Sequence, residues 1–154
     1  MIRKKNSKTK TPIVVLATGA FDLLHPGHLK FLEASKRQGG AKSKLIVIVA
    51  RDATVRLRKG RSPILSEQER LQLVSALKIV DKAMLGHPKL DLLGILREVK
   101  PDIVGVGYDQ KEIASSVRKV IRDAKLSIRV VQMPKFHGRL DSSSKVKQQI
   151  FRKH

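Results

Sequence analysis

The chain has 154 residues, no cysteine and a formal net charge of +20 at pH 7. This length is typical of one domain with a buried core, and the absence of thiols excludes disulfides, thiolate metal sites and cysteine nucleophiles. No apolar run approaches the roughly 18 residues that span a membrane. A basic stretch precedes the first apolar run, but Asp22 interrupts that run and no small-residue cleavage site follows, so we expect a cytoplasmic protein.

The positive charge has two candidate causes. Lys and Arg residues cluster in the first ten residues, at 56–61 and at 145–153. Such clusters bind nucleic acid by releasing counterions, yet one Tyr, four Phe and no Trp leave few rings on which bases could stack. We therefore favour a solvated surface combined with a site for a polyphosphate ligand, and we keep nucleic-acid binding as an open alternative.

Apolar runs alternate with helical patterns along the chain. A strand is predicted at 13–18, followed by a helix at 28–40 that two glycines close and by a buried strand at 44–50. A Ser and a Glu in capping-box spacing open a helix at 66–78. The later elements are a short strand near 82–86, a helix at 90–99, a strand at 102–107, a helix at 111–124, a strand at 127–133 and a helix from about 142.

This order predicts an α/β, doubly wound fold with a largely parallel five-stranded sheet flanked by helices. We expect residues 1–12 to form a basic flexible tail and residues 13–154 a single domain. Ligands of such sheets bind at the carboxyl ends of the strands, which here lead into four polar segments that we interpret as loops: residues 19–28, 51–61, 107–110 and 135–144.

The first of these loops carries two histidines at the start of a predicted helix. Pro26 suits the first helical turn, and Gly27 would let a ligand approach the backbone amides at the helix N-terminus. His25 and His28 are three residues apart and can share one face of that turn. Two imidazoles and a positive helix end can stabilise negative charge on a phosphorus centre during in-line displacement.

Other interpretations of this loop have less support. A zinc site could use the two histidines, but no third ligand is evident nearby. A dinucleotide fold would place G-x-G-x-x-G after the first strand, and neither that pattern nor a Walker-type loop is present. The remaining alternative is that the histidines only cap the helix.

The wider pattern resembles a known superfamily. "GAFDLLHPGH", "VIVARDATVRLRKGR", "SEQERLQLVSALKIVDKAMLG", "LREVKPDIVGVGYDQ" and "DSSSKV" follow one another in the order seen in the HxGH nucleotidyltransferases, within the cytidylyltransferase-like group. The basic segment and the "GYDQ" loop are most similar to those of the archaeal-type FAD synthases. "DSSSKV" matches the second signature of the superfamily except at Asp141, where an apolar residue is usual.

The resemblance implies an enzyme that transfers AMP from ATP to FMN and releases pyrophosphate, with Mg²⁺ or a similar divalent cation. A cytidylyltransferase acting on glycerol 3-phosphate is the alternative enzyme, and a nucleic-acid-associated nucleotide-binding protein is the alternative of another class. Dimers are frequent in this family, so the resemblance also implies a homodimer.

The resemblance further implies roles for individual residues. Asp22 could orient the site or help to hold the metal, or it could be an ordinary loop carboxylate. Tyr108, the single tyrosine, could lie against a flavin ring or simply pack at the surface, and Arg70 could reach a phosphate or the ribose, or pair with Glu67 or Glu69 on its own helix. The expected catalytic residues are His25, His28 and Lys59; the expected nucleotide-binding residues are Gly19, Ala20, Phe21, His25, His28, Asp109, Ser142, Ser143 and Ser144; and the further candidates are Asp52, Arg61, Arg70 and Tyr108.

Overall fold

The computed structural model describes residues 11–152, which form a five-stranded sheet flanked by six helices. The predicted basic tail, residues 1–12, lies outside the described residues except for its last two. The elements in chain order are β1 (Val14–Gly19), α1 (Pro26–Arg37), β2 (Lys44–Val49), α2 (Asp52–Lys59), α3 (Glu67–Ser75), β3 (Lys82–Leu85), α4 (Leu92–Val99), β4 (Ile103–Val106), α5 (Lys111–Asp123), β5 (Arg129–Gln132) and α6 (Ser143–Phe151).

All five strands are parallel, in the order β3-β2-β1-β4-β5, which confirms the predicted fold class. The chain runs outward from β1 to β2 and β3, then returns to the other side of β1 for β4 and β5. The loops after β1 and β4 therefore lead away from each other and leave a crevice at the carboxyl edge of the sheet. This crevice is where a ligand site is expected.

The core has two layers, one on each face of the sheet. Leu32 of α1 and Val74 of α3 are fully buried against one face, and Leu96 of α4 and Val117 of α5 are buried against the other. The three central strands, β1, β2 and β4, are rich in β-branched residues and mostly buried, as is typical of parallel strands covered on both faces. Within residues 11–152, no helix is both long enough and apolar enough to cross a membrane.

The predicted loop at 51–61 is wrong, because most of this segment forms helix α2. Val55 is its one buried residue, so the sequence lacks the repeated apolar positions that reveal a helix. Gly60 ends the helix in the left-handed conformation, with φ of 67°, which glycine adopts without steric cost. The basic side chains of this segment are therefore presented by a helix.

Candidate active site

A cleft of about 850 Å³ lies at the carboxyl edge of the sheet. It is lined by the loop after β1, by α2, by the segments after β3 and β4, and by the start of α6. Most of the site residues predicted from the sequence line it: Gly19, Ala20, Phe21, Asp22, His25, His28, Lys59, Arg61, Tyr108, Asp109, Ser142, Ser143 and Ser144. Asp52 and Arg70 do not.

The two histidines stack at the mouth of α1. Their ring centroids are 3.7 Å apart, and the ring planes are tilted by 23°. His25 is the N-cap of the helix, and its Nδ1 accepts a weak hydrogen bond from the His28 backbone N–H at 3.4 Å. The Nδ1 atom of His28 is buried and has no hydrogen-bond partner among the described residues. A helix cap thus accounts for His25 in part, but it does not account for the imidazole of His28.

Both imidazoles favour the neutral form in the free protein. Burial, followed by the charges of His25 and Lys59, lowers the pKa of His28 to about 3. Burial also lowers the pKa of His25. Because a bound anion favours the protonated form of a nearby histidine, a polyphosphate in the cleft would raise both pKa values.

Asp22 is almost fully buried and joins three segments. Its carboxylate accepts hydrogen bonds from the backbone N–H groups of Ile64 and Leu65 at 2.9 and 3.0 Å, and Lys147 Nζ lies 3.5 Å away. Burial alone raises the pKa of Asp22, but the two backbone hydrogen bonds and Lys147 together hold it below its usual value. Asp22 therefore fastens the histidine loop to the chain ahead of α3 and to α6.

The metal role of Asp22 stays a prediction. Both of its carboxylate oxygens already accept backbone hydrogen bonds. Among residues 11–152, no group of three or more His, Asp or Glu side chains is placed to hold a metal ion.

The three serines of the second signature have different contacts. Ser142 is the N-cap of α6 and accepts a hydrogen bond from the Lys145 N–H at 3.2 Å. Ser143 donates its hydroxyl proton to the backbone carbonyl of Asp22. Ser144 is exposed, and its Oγ lies 3.5 Å from a guanidinium nitrogen of Arg61. The start of α6 is thus joined to the histidine loop and lies beside the end of α2.

The start of the second signature, residues 141–146, is held in position by Asp141, which replaces the usual apolar residue. Its carboxylate pairs with Lys145 Nζ at 2.8 Å and accepts the Gly138 N–H at 3.0 Å. The pKa of Asp141 is lowered to about 2, chiefly by Lys145 and then by Gly138. A Cβ atom at Gly27 would clash with the Asp141 carbonyl oxygen. The absence of a side chain at Gly27 therefore allows the start of the second signature to pack against α1. The sequence did not reveal this packing role of Gly27.

Lys59 and Arg61 lie at the end of α2, where both line the cleft. Lys59 is close enough to contribute to the lowered pKa of His28. Both side chains are exposed, so their charges remain available to an anionic ligand. The role of both residues in phosphate binding stays a prediction.

Arg70 does not form the ion pair with Glu67 or Glu69 that was one of its two predicted roles. Its side chain is fully buried, and its guanidinium donates to the carbonyl oxygens of Leu65, Ala20 and Ala50 and to the carboxylate of Asp52, at 2.6–3.0 Å. The Arg70 side chain does not reach Glu67 or Glu69. Glu67 pairs instead with Arg51, and Glu69 completes the capping box of α3. The buried Arg70, paired with the half-buried Asp52, holds the chain ends of β1 and β2 together beneath the cleft, so both residues position the site from below.

The loop after β4 is held by two glutamines. Gln132 Nε2 donates to the carbonyl oxygens of Gly107 and Tyr108, and Gln110 Oε1 accepts the Gly107 N–H at 2.7 Å. Asp109 is exposed and lines the cleft. Tyr108 is 43% exposed, with Lys135 Nζ 5.6 Å from its ring centroid.

A histidine that the sequence analysis did not consider also lines the cleft. His87 follows β3, and its ring nitrogens lie 3.1 Å from the Asp91 carboxylate and 2.8 Å from that of Glu98. These hydrogen bonds, with that of Glu98 first, raise the pKa of His87. The sequence pointed to this part of the site only through Asp91, a residue type that commonly caps helices. Asp91 caps α4 by accepting the Gly94 N–H. The contact with Glu98 depends on how the loop folds back over α4.

Comparisons with known proteins show which family the chain belongs to. The protein-family model described as "Cytidylyltransferase-like" matches residues 16–149. The FAD synthase of Thermoplasma volcanium is 44% identical over 138 residues, covering 90% of this chain and 94% of its own. The FAD synthase of Methanothermobacter marburgensis is 43% identical over 149 residues, covering 96% of this chain and 91% of its own.

Solved structures show the same fold. The crystal structure of a protein described as the lipopolysaccharide core biosynthesis protein of Thermoplasma volcanium superposes with a TM-score of 0.69 at 43% identity, covering 81% of this chain and 98% of its own. Pantoate-beta-alanine ligase from Francisella tularensis, at 15% identity and a TM-score of 0.58, is similar in fold alone. The chain belongs to the cytidylyltransferase-like family of nucleotidyltransferases, in the group of the archaeal FAD synthases.

Proposed function

We propose that this protein is an FAD synthase, which transfers AMP from ATP to FMN. Relatives that carry this name are 41–44% identical over nearly the whole chain. The observation that carries the proposal is the imidazole of His28, whose buried Nδ1 has no hydrogen-bond partner among residues 11–152. This ring lies beside Lys59, at a helix N-terminus and inside a large cleft. Such a site suits a triphosphate undergoing in-line displacement.

The reaction in this site is a direct displacement. A phosphate oxygen of FMN attacks the α-phosphorus of ATP, the bond from that phosphorus to the α–β bridging oxygen breaks, and pyrophosphate leaves with the bonding electrons. His28, His25 and Lys59 stabilise the charge that builds up on the phosphoryl oxygens. The exposed Ser144 and the amides at the start of α6 bind the outer phosphates, and Arg61 adds a further cation.

A divalent cation belongs to the proposal as part of the ATP complex. Magnesium neutralises phosphate charge when it is bound, and proteins commonly hold it through substrate phosphates and few side chains. The described residues offer no cluster that would cage it. We therefore assign the metal to the nucleotide and derive no step through a protein ligand.

The remaining expectations stay predictions. We expect the enzyme to work in the cytoplasm as a homodimer. We expect it to use its positive charge mainly for phosphate ligands, with nucleic-acid binding as a weak side effect.

A nucleotide and acceptor screen tests the proposal. Purified protein is incubated with each of ATP and CTP against each of FMN and glycerol 3-phosphate, and pyrophosphate release and the nucleotide product are measured. We expect ATP with FMN to give FAD and equimolar pyrophosphate, and CTP with glycerol 3-phosphate to give much less product. The reverse preference would replace the FAD synthase by a cytidylyltransferase of the same family.

A further inference from the structure

The chain between β3 and α4 (residues 86–91, the β3–α4 segment) forms one wall of the cleft and belongs to no helix or strand. At its first residue, the Gly86 N–H donates to the Val49 carbonyl at 3.0 Å, and the Gly86 carbonyl accepts a hydrogen bond from Arg51 Nε at 2.7 Å. These bonds fix the segment to β2 and to the start of α2. Its attachment along α4 is made by the ring of His87.

His87 contacts α4 at two points. Its Nδ1 lies 3.1 Å from Asp91 Oδ2, and its Nε2 lies 2.8 Å from Glu98 Oε2. Asp91 is the N-cap of α4 and Glu98 lies in its last turn, so the two residues are about two helical turns apart. The ring therefore fixes the β3–α4 segment along most of the length of α4.

These two contacts require a protonated ring. A carboxylate only accepts hydrogen bonds, and a neutral imidazole has a single N–H to donate. With a carboxylate oxygen beside each nitrogen, a neutral His87 would turn a lone pair towards one of them. Only the imidazolium donates to both. The same hydrogen bonds, that of Glu98 first and then that of Asp91, raise the pKa of His87.

Further charged groups surround this cluster. They belong to the neighbouring helices and to the segment itself: Arg51 and its ion-pair partner Glu67 at the starts of α2 and α3, Arg97 of α4, and Lys89. The cations oppose a proton on His87, whereas the Asp91 and Glu98 carboxylates favour it from hydrogen-bond distance. The carboxylates have the larger effect, because the pKa of His87 is raised overall.

We propose that His87 is a positioning residue of the active site, whose doubly hydrogen-bonded imidazolium holds the β3–α4 segment, and with it one wall of the cleft, against α4. This inference rests on the proposed function for its effect on the reaction. When the pH rises and the ring loses its proton, one of the two contacts is lost and the wall is held less firmly. Both ring nitrogens are engaged by the protein, so His87 acts through the position of the wall and not on the reacting atoms.

An NMR titration tests the protonation of the ring without any substrate. Protein labelled in its histidine rings is followed from about pH 5 to 9, and His87→Gln assigns the His87 signals. We expect the wild-type ring to titrate above the ordinary value of 6.5, and the ring in Glu98→Gln to titrate at a lower pH than in the wild type. The spectra also show that each variant is folded. A wild-type ring that titrates at or below 6.5 would overturn the inference.

Steady-state kinetics test the positioning role. The kcat/KM for FAD synthesis is measured at a pH where both the wild-type and the Glu98→Gln rings are protonated, and at a pH where only the wild-type ring is. We expect the two proteins to agree within about twofold at the first pH, and the variant to be about fivefold less active at the second. His87→Gln, which has no ring to protonate, should show the lower activity at both pH values.

Glu33→Gln is the matched control for Glu98→Gln. Glu33 is a partly exposed helical glutamate in an ion pair, and like Glu98 it does not line the cleft. This variant should follow the wild type at both pH values.

The possible outcomes separate this inference from the proposed function. FAD synthesis by the wild type, with equal kcat/KM in Glu98→Gln and His87→Gln at both pH values, overturns the positioning role and leaves the proposed function intact. A wild type that makes no FAD at either pH overturns the proposed function. The doubly hydrogen-bonded imidazolium is then decided by the NMR titration alone.

Discussion

At the scale of single residues, the imidazole of His28 distinguishes a reaction site from a helix cap. Its Nδ1 is buried and unpartnered in the described part of the chain, a cost that a purely structural residue would not carry. Replacing His28 with Ala should lower turnover by about 100-fold or more, because a group that stabilises the transition state is lost. The far-ultraviolet circular dichroism spectrum should be unchanged.

His137→Ala is the matched control for this prediction. His137 is exposed and lies outside the cleft, so its loss should leave turnover unaltered. A folded His28→Ala protein with normal turnover would show that the histidine pair only begins the helix.

The same His28→Ala variant should change how stability depends on pH. The pKa of His28 is about 3 in the folded protein and near 6.5 when unfolded, so between these values the unfolded chain binds a proton that the folded chain does not. The free energy of unfolding of the wild type therefore falls as the pH is lowered from 7 to 5, by about 2 kcal/mol from this residue.

Urea unfolding of both proteins at pH 7 and pH 5 measures this contribution. His28→Ala should lose less stability than the wild type over this range, by about the same 2 kcal/mol. Equal losses in the two proteins would mean that His28 is not desolvated in the free protein.

At the scale of elements, helix α2 provides two of the basic side chains that line the cleft, Arg58 and Lys59. Lys59 lines the cleft and contributes to the lowered pKa of His28, whereas Arg56 on the same helix does not line it. Lys59→Ala should therefore lower kcat/KM by about 100-fold, and Arg56→Ala by less than about threefold. Similar losses in both variants would mean that the helix supplies only a general positive field.

Much of the fold could be predicted because its strands and helices have strong patterns. The continuous β-branched run of β2 and the Ser66–Glu69 capping box of α3 were identified correctly, and the structure contains both sides of that box. Helix α2 was missed because its one buried side chain gives no repeat. Local sequence patterns indicate the elements that contribute several side chains to the core. They do not reveal a helix whose side chains are mostly charged and exposed.

The site was only partly predictable, because several contacts join residues far apart in the chain. The histidine loop and the serine loop follow from their motifs. The burial of Arg70 against Ala20, Ala50 and Asp52 does not, since it depends on which strands are neighbours. The contact between Gly27 and the Asp141 carbonyl is likewise invisible until α1 and α6 are placed together.

At the scale of the whole molecule, the net charge of +20 is much larger than the charge needed to neutralise one bound triphosphate. Such a charge attracts any polyanion, so the protein should bind nucleic acid weakly and without sequence preference. Fluorescence anisotropy with labelled duplex and single-stranded DNA should give an affinity that falls steeply between about 50 and 200 mM salt. Tight binding to one sequence that persists at high salt would instead support a nucleic-acid function.

The most direct test of the whole account follows the phosphorus atoms of ATP. The wild-type protein is incubated with FMN and with ATP labelled with ³²P at either the α- or the γ-phosphate, and the products are separated. Direct attack on the α-phosphorus predicts that the α-label appears in FAD and the γ-label in pyrophosphate. Transfer of the γ-label to the flavin, or no transfer from ATP at all, would contradict it.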